Sequence, residues 1–321
     1  MELPPLLRQA VDRALSGVAL ADLTAAATAL SQRYREEGRE GPAAIASDRD
    51  ALAYLATRLP ATFAAARTSF AAIASARPGF APKTLLDIGA GPGTALWAAA
   101  DCWPELADAE LVEASPIFRA CGERLAAEAT RPRMTWCSAD VTRTAIDSAP
   151  RDLVTIAYML NEIAPEMRRS ILAQAWQATA DTLLVVEPGT PAGWQRILVA
   201  RRQFIEAGAH VVAPCPHAQS CPLASPDWCH FAERVARSRL HRQSKGAEVP
   251  WEDEKFSYVA VSRKPAPEAA ASRVIARPRK ASGRVTLKLC RPDGSAGEQL
   301  LSRRDGEHYK RASRSDWGAS L

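Results

Sequence analysis

The stretch Leu85-Leu86-Asp87-Ile88-Gly89-Ala90-Gly91-Pro92-Gly93-Thr94 decides the fold of this chain. Its first half is a short apolar run suited to a buried strand, and its second half places glycine at every other position. Glycines at 89, 91 and 93 let the chain turn sharply after the strand. They also bring backbone N–H groups against a ligand with no Cβ in the way. Leu96 and Trp97 then begin a helix. A dinucleotide fingerprint of the form G-x-G-x-x-G would need glycine at 94, where this chain has Thr94. Together with the acidic Asp87 just ahead of the loop, that points to S-adenosylmethionine rather than NAD.

Outward from the loop, short apolar runs alternate with helical stretches, the signature of a parallel sheet wound with helices. Strands are expected at 84–88, 110–113, 134–138, 153–158, 182–187, 210–213 and 256–262, with five intervening helices. The pattern predicts an α/β chain with a Rossmann-like, seven-stranded, S-adenosylmethionine-dependent methyltransferase fold over residues 79–263. Glu113 closes the second strand, where a carboxylate can accept hydrogen bonds from both ribose hydroxyls. Asp140 follows the third strand at a place suited to the adenine amino group. The expected cofactor-binding set is therefore Asp87, Gly89, Gly91, Gly93, Glu113 and Asp140.

Residues 1–78 are Ala-rich, with Leu52, Leu55, Leu59, Phe63 and Arg67 at helical steps and Pro60 marking a break, and read as a helical subdomain. Residues 213–255 hold three cysteines and read as an insertion, since they are far longer than an ordinary hairpin connection. Residues 264–321 read as a Pro/Ala-rich linker (264–271) and a small basic β extension, with turns at Ser282-Gly283 and Pro292-Asp293-Gly294.

The 47% hydrophobic and 24% charged composition is that of a globular chain. No run approaches the roughly 18 apolar residues of a membrane helix, so no membrane partner is expected. The N-terminus lacks the pattern of a secretory signal or a clear transit peptide. A bacterial cytosolic protein is the expectation, with a mitochondrial location the alternative if the source is eukaryotic. The formal net charge of +5 is unevenly placed: twelve Lys/Arg against four Asp/Glu between Arg273 and Arg314 give a local +8, leaving −3 elsewhere. Such a segment suits a polyanion. The candidates for RNA contact are Arg277, Arg279, Lys280, Arg284, Lys288, Arg303, Arg304, Lys310 and Arg311.

Cys102, Cys121 and Cys137 are scattered among apolar neighbours and read as core residues. Cys215, Cys221 and Cys229 crowd together, with Cys290 distant. Neither spacing is the two-residue one usual for zinc ribbons, whereas loops punctuated by Pro214, Pro216, Pro222 and Pro226 can hold soft thiolates at irregular intervals. Cys290 is the candidate fourth ligand, and His217 or His230 its rival in a three-cysteine, one-histidine site. Pro214-Cys215 admits a different reading, the nucleophilic cysteine of an RNA cytosine-5 methyltransferase, which a ligand role would exclude.

Several of these features together resemble one family, the methyltransferase-like proteins of the mitochondrial ribosomal small subunit (the Rsm22 type) and their bacterial relatives. The resemblance lies in residues 54–62, the loop from Asp87 to Thr94, Glu187-Pro188-Gly189-Thr190-Pro191, Pro214-Cys215-Pro216-His217, Cys221-Pro222-Leu223 and Trp228-Cys229-His230-Phe231. It implies S-adenosylmethionine binding and a four-cysteine iron–sulfur cluster of the 4Fe-4S type on Cys215, Cys221, Cys229 and Cys290, with zinc the alternative. It also implies a role in small-subunit assembly or rRNA methylation, with small-subunit rRNA or precursor particles as partner.

The fourth strand does not end in the Asn/Asp-Pro-Pro-aromatic motif of amino-directed methyltransferases. Asn161 and Glu162 stand there instead, able to orient a nucleophile or act as base, or simply to cap the next helix. Two readings follow: a methyltransferase active on rRNA, and a catalytically inactive assembly scaffold.

Overall fold

Helices α1 (Pro5–Leu15), α2 (Leu20–Arg35), α3 (Asp48–Thr57) and α4 (Leu59–Ala76) precede the first strand in the computed structural model, which describes residues 1–35, 45–266 and 271–321. Then follow β1 (Thr84–Ile88), α5 (Thr94–Cys102), β2 (Asp108–Val112), α6 (Pro116–Ala126), β3 (Arg133–Cys137), β4 (Arg151–Ala157), α7 (Pro165–Gln177), β5 (Thr179–Pro188), α8 (Pro191–Glu206) and β6 (His210–Ala213). The main sheet ends with β7 (Phe231–Ala236), helix α9 (Arg239–Ser244) and β8 (Trp251–Ser262).

β1 pairs in parallel with β2 and β4, and the parallel ladder continues to β3 on one side and β5 on the other. The direction then reverses. β8 lies antiparallel to both β5 and β6, giving the order β3-β2-β1-β4-β5-β8-β6. Period-2 alternation divides the apolar side chains between two layers. Leu85, Leu111, Leu153 and Leu184 pack with α4 residues Phe63 and Phe70, while Leu86, Val154, Leu183 and Val259 pack with Ile171, Trp176, Ile197 and Phe204 of α7 and α8.

Two expectations are corrected. The sheet has eight strands rather than seven, because 213–255 is not simply an inserted loop. It contains β7, which pairs in register with the first half of β8 from Phe231↔Phe256 to Ala236↔Trp251, and α9 between them. The connection from β3 to β4 carries no helix, so four helices, not five, link the first six strands.

After the stretch read as a linker, of which 267–270 lie outside the described residues, come β9 (Arg273–Val274), β10 (Arg279–Ala281), β11 (Arg284–Cys290), β12 (Ala296–Ser302) and α10 (Gly306–Arg314). β11 is the centre of this second sheet and pairs antiparallel with the other three. The last basic segment is a helix: α10 follows a turn capped reciprocally by Ser302 and Asp305 and lays Ala312 and Tyr309 on Val274, Val285, Leu287 and Leu289. No single helix among the described residues is long and apolar enough to cross a membrane.

Candidate functional site

The C-terminal ends of β1, β2 and β4 open into a cleft of about 1620 Å³, the place where open parallel sheets take ligands. Pockets for one drug-sized ligand run to roughly 300–1,000 Å³, so this cleft has room for a second molecule. Gly89, Gly91 and Gly93 all have left-handed φ, at 68°, 56° and 81°. A Cβ on Gly89 would stand 2.3 Å from the Met159 sulfur. Gly89 is thus required by the close approach of the turn after β4 as well as by any ligand, a contact that sequence reasoning did not reveal.

Asp87 is 1% exposed; its Oδ1 accepts from the Thr155 hydroxyl at 2.6 Å, and its Oδ2 has no hydrogen-bond donor among the described residues. Burial pushes its pKa up to about 7, and nearby Glu113 adds to the rise. Glu113 lies one residue past β2, and its two carboxylate oxygens accept from Gly91 N–H at 2.8 Å and Ser115 N–H at 2.7 Å. It therefore fixes the glycine loop and the entry into α6 while lining the cleft. Asp140 lies past the end of β3. Its carboxylate accepts from the Thr142 hydroxyl at 2.6 Å and the Thr142 N–H at 3.0 Å, bonds that hold its pKa below the ordinary value.

Asn161 and Glu162 occupy a single 3-10 turn, Leu160–Glu162, whose Leu160 N–H is held by the fully buried Glu187 at 3.0 Å. Asn161 Oδ1 is buried without a hydrogen-bond partner among the described residues. Burial, then Glu113 and Glu187, push Glu162 up to about 7. Both side chains line the cleft. Sequence reasoning missed the opposite wall. Tyr158, a non-glycine residue at φ 55°, donates its hydroxyl to Glu254 Oε1 at 3.0 Å, and Arg58 reaches the same oxygen at 3.3 Å. Three residues far apart in sequence meet there, and no local pattern announces them.

A second, smaller cavity, of about 30 Å³, is lined by Cys215, Cys221, Cys229 and Cys290 together with His217, Arg201 and Arg273. The structure therefore gathers all four cysteines of the expected set. They share a wall rather than a common point, because among the described residues no three His, Cys, Asp or Glu side chains stand as one metal ion would require. Burial raises the Cys215 thiol, raises Cys229 strongly with help from the other sulfurs, and pushes Cys290 up to about 12. His217 Nε2 lies 3.4 Å from Cys290 Sγ. His230 is not on the cavity: it stacks on Trp228 and meets Trp317 edge-on. Trp228 in turn donates its indole N–H to the Gly189 carbonyl at 3.0 Å, in the loop that lines the large cleft.

Residues 48–321 match the family described as mitochondrial small ribosomal subunit Rsm22. The chain belongs to that family. This Rsm22 chain is 30% identical over 291 residues to the human ribosome assembly protein METTL17, mitochondrial, covering 84% of this chain and 62% of that protein. It is 23% identical over 292 residues to Rsm22-cox11 tandem protein 2, mitochondrial, of Schizosaccharomyces pombe, covering 73% of this chain and 38% of the other. The chain thus spans less than two thirds of the length of either relative. Both are mitochondrial proteins, which accords with the mitochondrial alternative and lends nothing to the bacterial cytosolic one. Among solved structures it is similar to an O-methyltransferase family protein from Burkholderia thailandensis, with a TM-score of 0.46, 12% identity and coverage of 79% of this chain and 74% of that one. It is similar also to magnesium protoporphyrin IX methyltransferase (ChlM) from Synechocystis PCC 6803, with a TM-score of 0.43, 11% identity and coverage of 78% and 100%. Likenesses so distant carry no argument about substrate.

The basic side chains of the Rsm22 chain's second sheet fall into two groups. Arg279 is paired with Glu298 at 2.7 Å, Lys310 with Glu307 at 2.5 Å, Arg277 with Asp253 at 3.9 Å, and Lys288 with Asp227 of the cysteine segment. Lys280, Arg284, Arg303, Arg304 and Arg311 are exposed and form no ion pair among the described residues. Three of these five gather at one tip, with Arg304 next in the chain: Lys280 and Arg284 flank the β10–β11 turn, Arg303 N–H donates to Gly283 O at 3.1 Å, and the Arg303 side chain lies across Gly283.

Proposed function

We propose that this protein binds S-adenosylmethionine in the large cleft and acts on the small ribosomal subunit, in its assembly or by methylating its rRNA. The observation that carries the reading is the glycine loop, with its left-handed backbone and the unsatisfied Asp87 oxygen beneath it, in a chain of the Rsm22 family. Asp87 would hold the cofactor's positive end, Gly89, Gly91 and Gly93 its approach, Glu113 the ribose through its remaining lone pairs, and Asp140 the adenine edge. Bound there, the cofactor supplies an electrophilic methyl group. Asn161 Oδ1 would accept a hydrogen bond from an incoming N–H nucleophile, and Glu162 would take up the proton released from it. Transfer of labelled methyl to small-subunit rRNA or precursor particles is the expected result. Cofactor binding without any transfer would leave the scaffold reading, which the missing Asn/Asp-Pro-Pro-aromatic motif favours. Failure to co-sediment with small-subunit precursors at physiological salt would overturn both. The cytosine-5 reading has no support, because Cys215 lies in the second cavity and no cysteine lines the cleft among the described residues.

The second cavity suits the expected iron–sulfur cluster in donor chemistry: four thiols line one cavity, and no carboxylate lines it among the described residues. Cys215, Cys221, Cys229 and Cys290 would be the ligands, so that metal joins the extension over 264–321 to the domain over 79–263. The helical segment over 1–78 would be the third unit. Anaerobic purification with iron, sulfide and zinc quantified tests this, and a colourless zinc-loaded or metal-free protein would overturn the cluster. For rRNA, the unpaired tip formed by Lys280, Arg284 and Arg303 carries the contact, helped by the exposed Arg304 and Arg311. Charge reversal there is expected to weaken RNA binding and flatten its salt dependence, with a smaller effect at the already paired Arg277, Arg279, Lys288 and Lys310.

A further inference from the structure

Several arginines that this fold buries or half-buries are answered by carboxylates: Arg77 by Asp181, Arg151 by Asp108 and Glu110, Arg196 by Glu187, and Arg237 by Glu252. Arg201 is an exception. It lines the cysteine cavity from α8, is 4% exposed, donates from Nη2 to the His217 carbonyl at 2.6 Å, and has an Nε–H with no hydrogen-bond acceptor among the described residues. Arg273, half-buried on the same wall, donates only to the carbonyls of Pro214 and Gly318, at 3.0 and 2.7 Å. Neither guanidinium has an ion-pair partner among the described residues. A buried charge left without a counter-ion is strongly unfavourable, so the occupant of the cavity is expected to supply the missing negative charge.

The candidate ligand sets differ in that charge. Four thiolates around an oxidised four-iron, four-sulfide core, or around zinc, leave a doubly negative centre, whereas three thiolates and a neutral imidazole around zinc leave a single negative charge. Two guanidiniums match the former. We propose that Arg201 and Arg273 are the built-in counter-charge of a four-thiolate centre, with His217 serving as an outer hydrogen-bond partner of the Cys290 sulfur rather than as a ligand. The inference rests on reading the four cysteines as a metal site. Net charge and hydrogen bonds to sulfur set the reduction potential of such a centre, so Arg201 holds that potential up by favouring the extra electron.

The test is anaerobic reconstitution of the full chain with iron and sulfide, followed by metal analysis and a dithionite titration read by electron paramagnetic resonance. Arg201→Gln is expected to shift the reduction equilibrium at least tenfold against the reduced form, about 59 mV downward for one electron, while Arg201→Lys stays near wild type. Arg273→Gln, at the more exposed position, serves if the Arg201→Gln protein does not fold. His217→Ala is expected to retain iron and sulfide. A fully loaded Arg201→Gln protein with the wild-type potential, or loss of the centre in His217→Ala, overturns the proposal. Should the wild type carry zinc instead, the same glutamine variants are read by zinc retention against a chelator. A tenfold loss then supports the counter-charge, and equal retention overturns it. A wild type that retains no metal at all removes the underlying reading of the cysteines, a result distinct from any of these.

Discussion

Asp87 and Glu162 are carboxyls that burial holds near neutrality, each at about 7, with Glu113 raising both further. An incoming sulfonium and ammonium favour the ionised forms, so cofactor binding is expected to release protons and to tighten as pH rises from about 6 to about 8. Calorimetry in buffers of different ionisation heat measures the release. Asp87→Asn should remove the larger share, and a pH-independent affinity would contradict the assignment. In the ligand-free protein the same shift acts against folding. Between about pH 4 and 7 the folded carboxyl keeps a proton that the unfolded chain has lost, so stability should decline as pH rises through that window. Gly89→Ala meets both a left-handed φ and the Met159 sulfur, and should lower stability by about 1–3 kcal/mol, read from a denaturant midpoint. The glycines were legible in the sequence because positive φ leaves a compositional mark. Met159 against Gly89, and Tyr158 with Glu254 and Arg58, were not, because each contact joins residues that no local periodicity relates.

Among the elements, the parallel strands were read to within one to three residues at each end, since most of them are buried on both faces and written as continuous apolar runs. β7 and β12 were missed for the opposite reason. β7 buries only Phe231 and Val235, and β12 exposes Glu298, Gln299 and Leu300 at the side of β11. The end of α4 shows how an element is fastened from outside its own sequence. Arg77, its C-cap, donates to Asp181, to the Thr182 hydroxyl at 2.6 Å and to the Ser262 hydroxyl at 2.9 Å. Burial alone would raise Asp181, but the hydrogen bonds from Arg77, Thr182 and Lys264 bring it down to about 2. Its contribution is present above about pH 4 and is lost as pH falls through about 2. Asp181→Asn should therefore cost about 2 kcal/mol at pH 7, and urea midpoints of variant and wild type should converge in acid.

At the scale of the whole molecule, the second sheet is held to the first through Cys290 on the shared cavity, Lys288 on Asp227, Arg273 on Pro214 and Trp317 on His230. Cys290→Ala combined with Asp227→Ala is expected to speed proteolysis within 273–321 while leaving the cofactor cleft closed to it; equal protection of both regions would show that the remaining contacts suffice. The gathering of the four cysteines was legible as a crowd of three plus a distant fourth. The guanidiniums beside them were not, since Arg201 comes from a helix whose pattern speaks only of packing. The Trp228 indole, meanwhile, ties the walls of the two cavities together: its neighbour in the chain, Cys229, lines the smaller one, and Gly189, its hydrogen-bond acceptor, lines the cleft. A metal in the one and a cofactor in the other would therefore be linked through that side chain. Whatever factor metal loading applies to cofactor affinity, cofactor must return to metal affinity, and the pair of measurements closes a thermodynamic cycle across a single side chain.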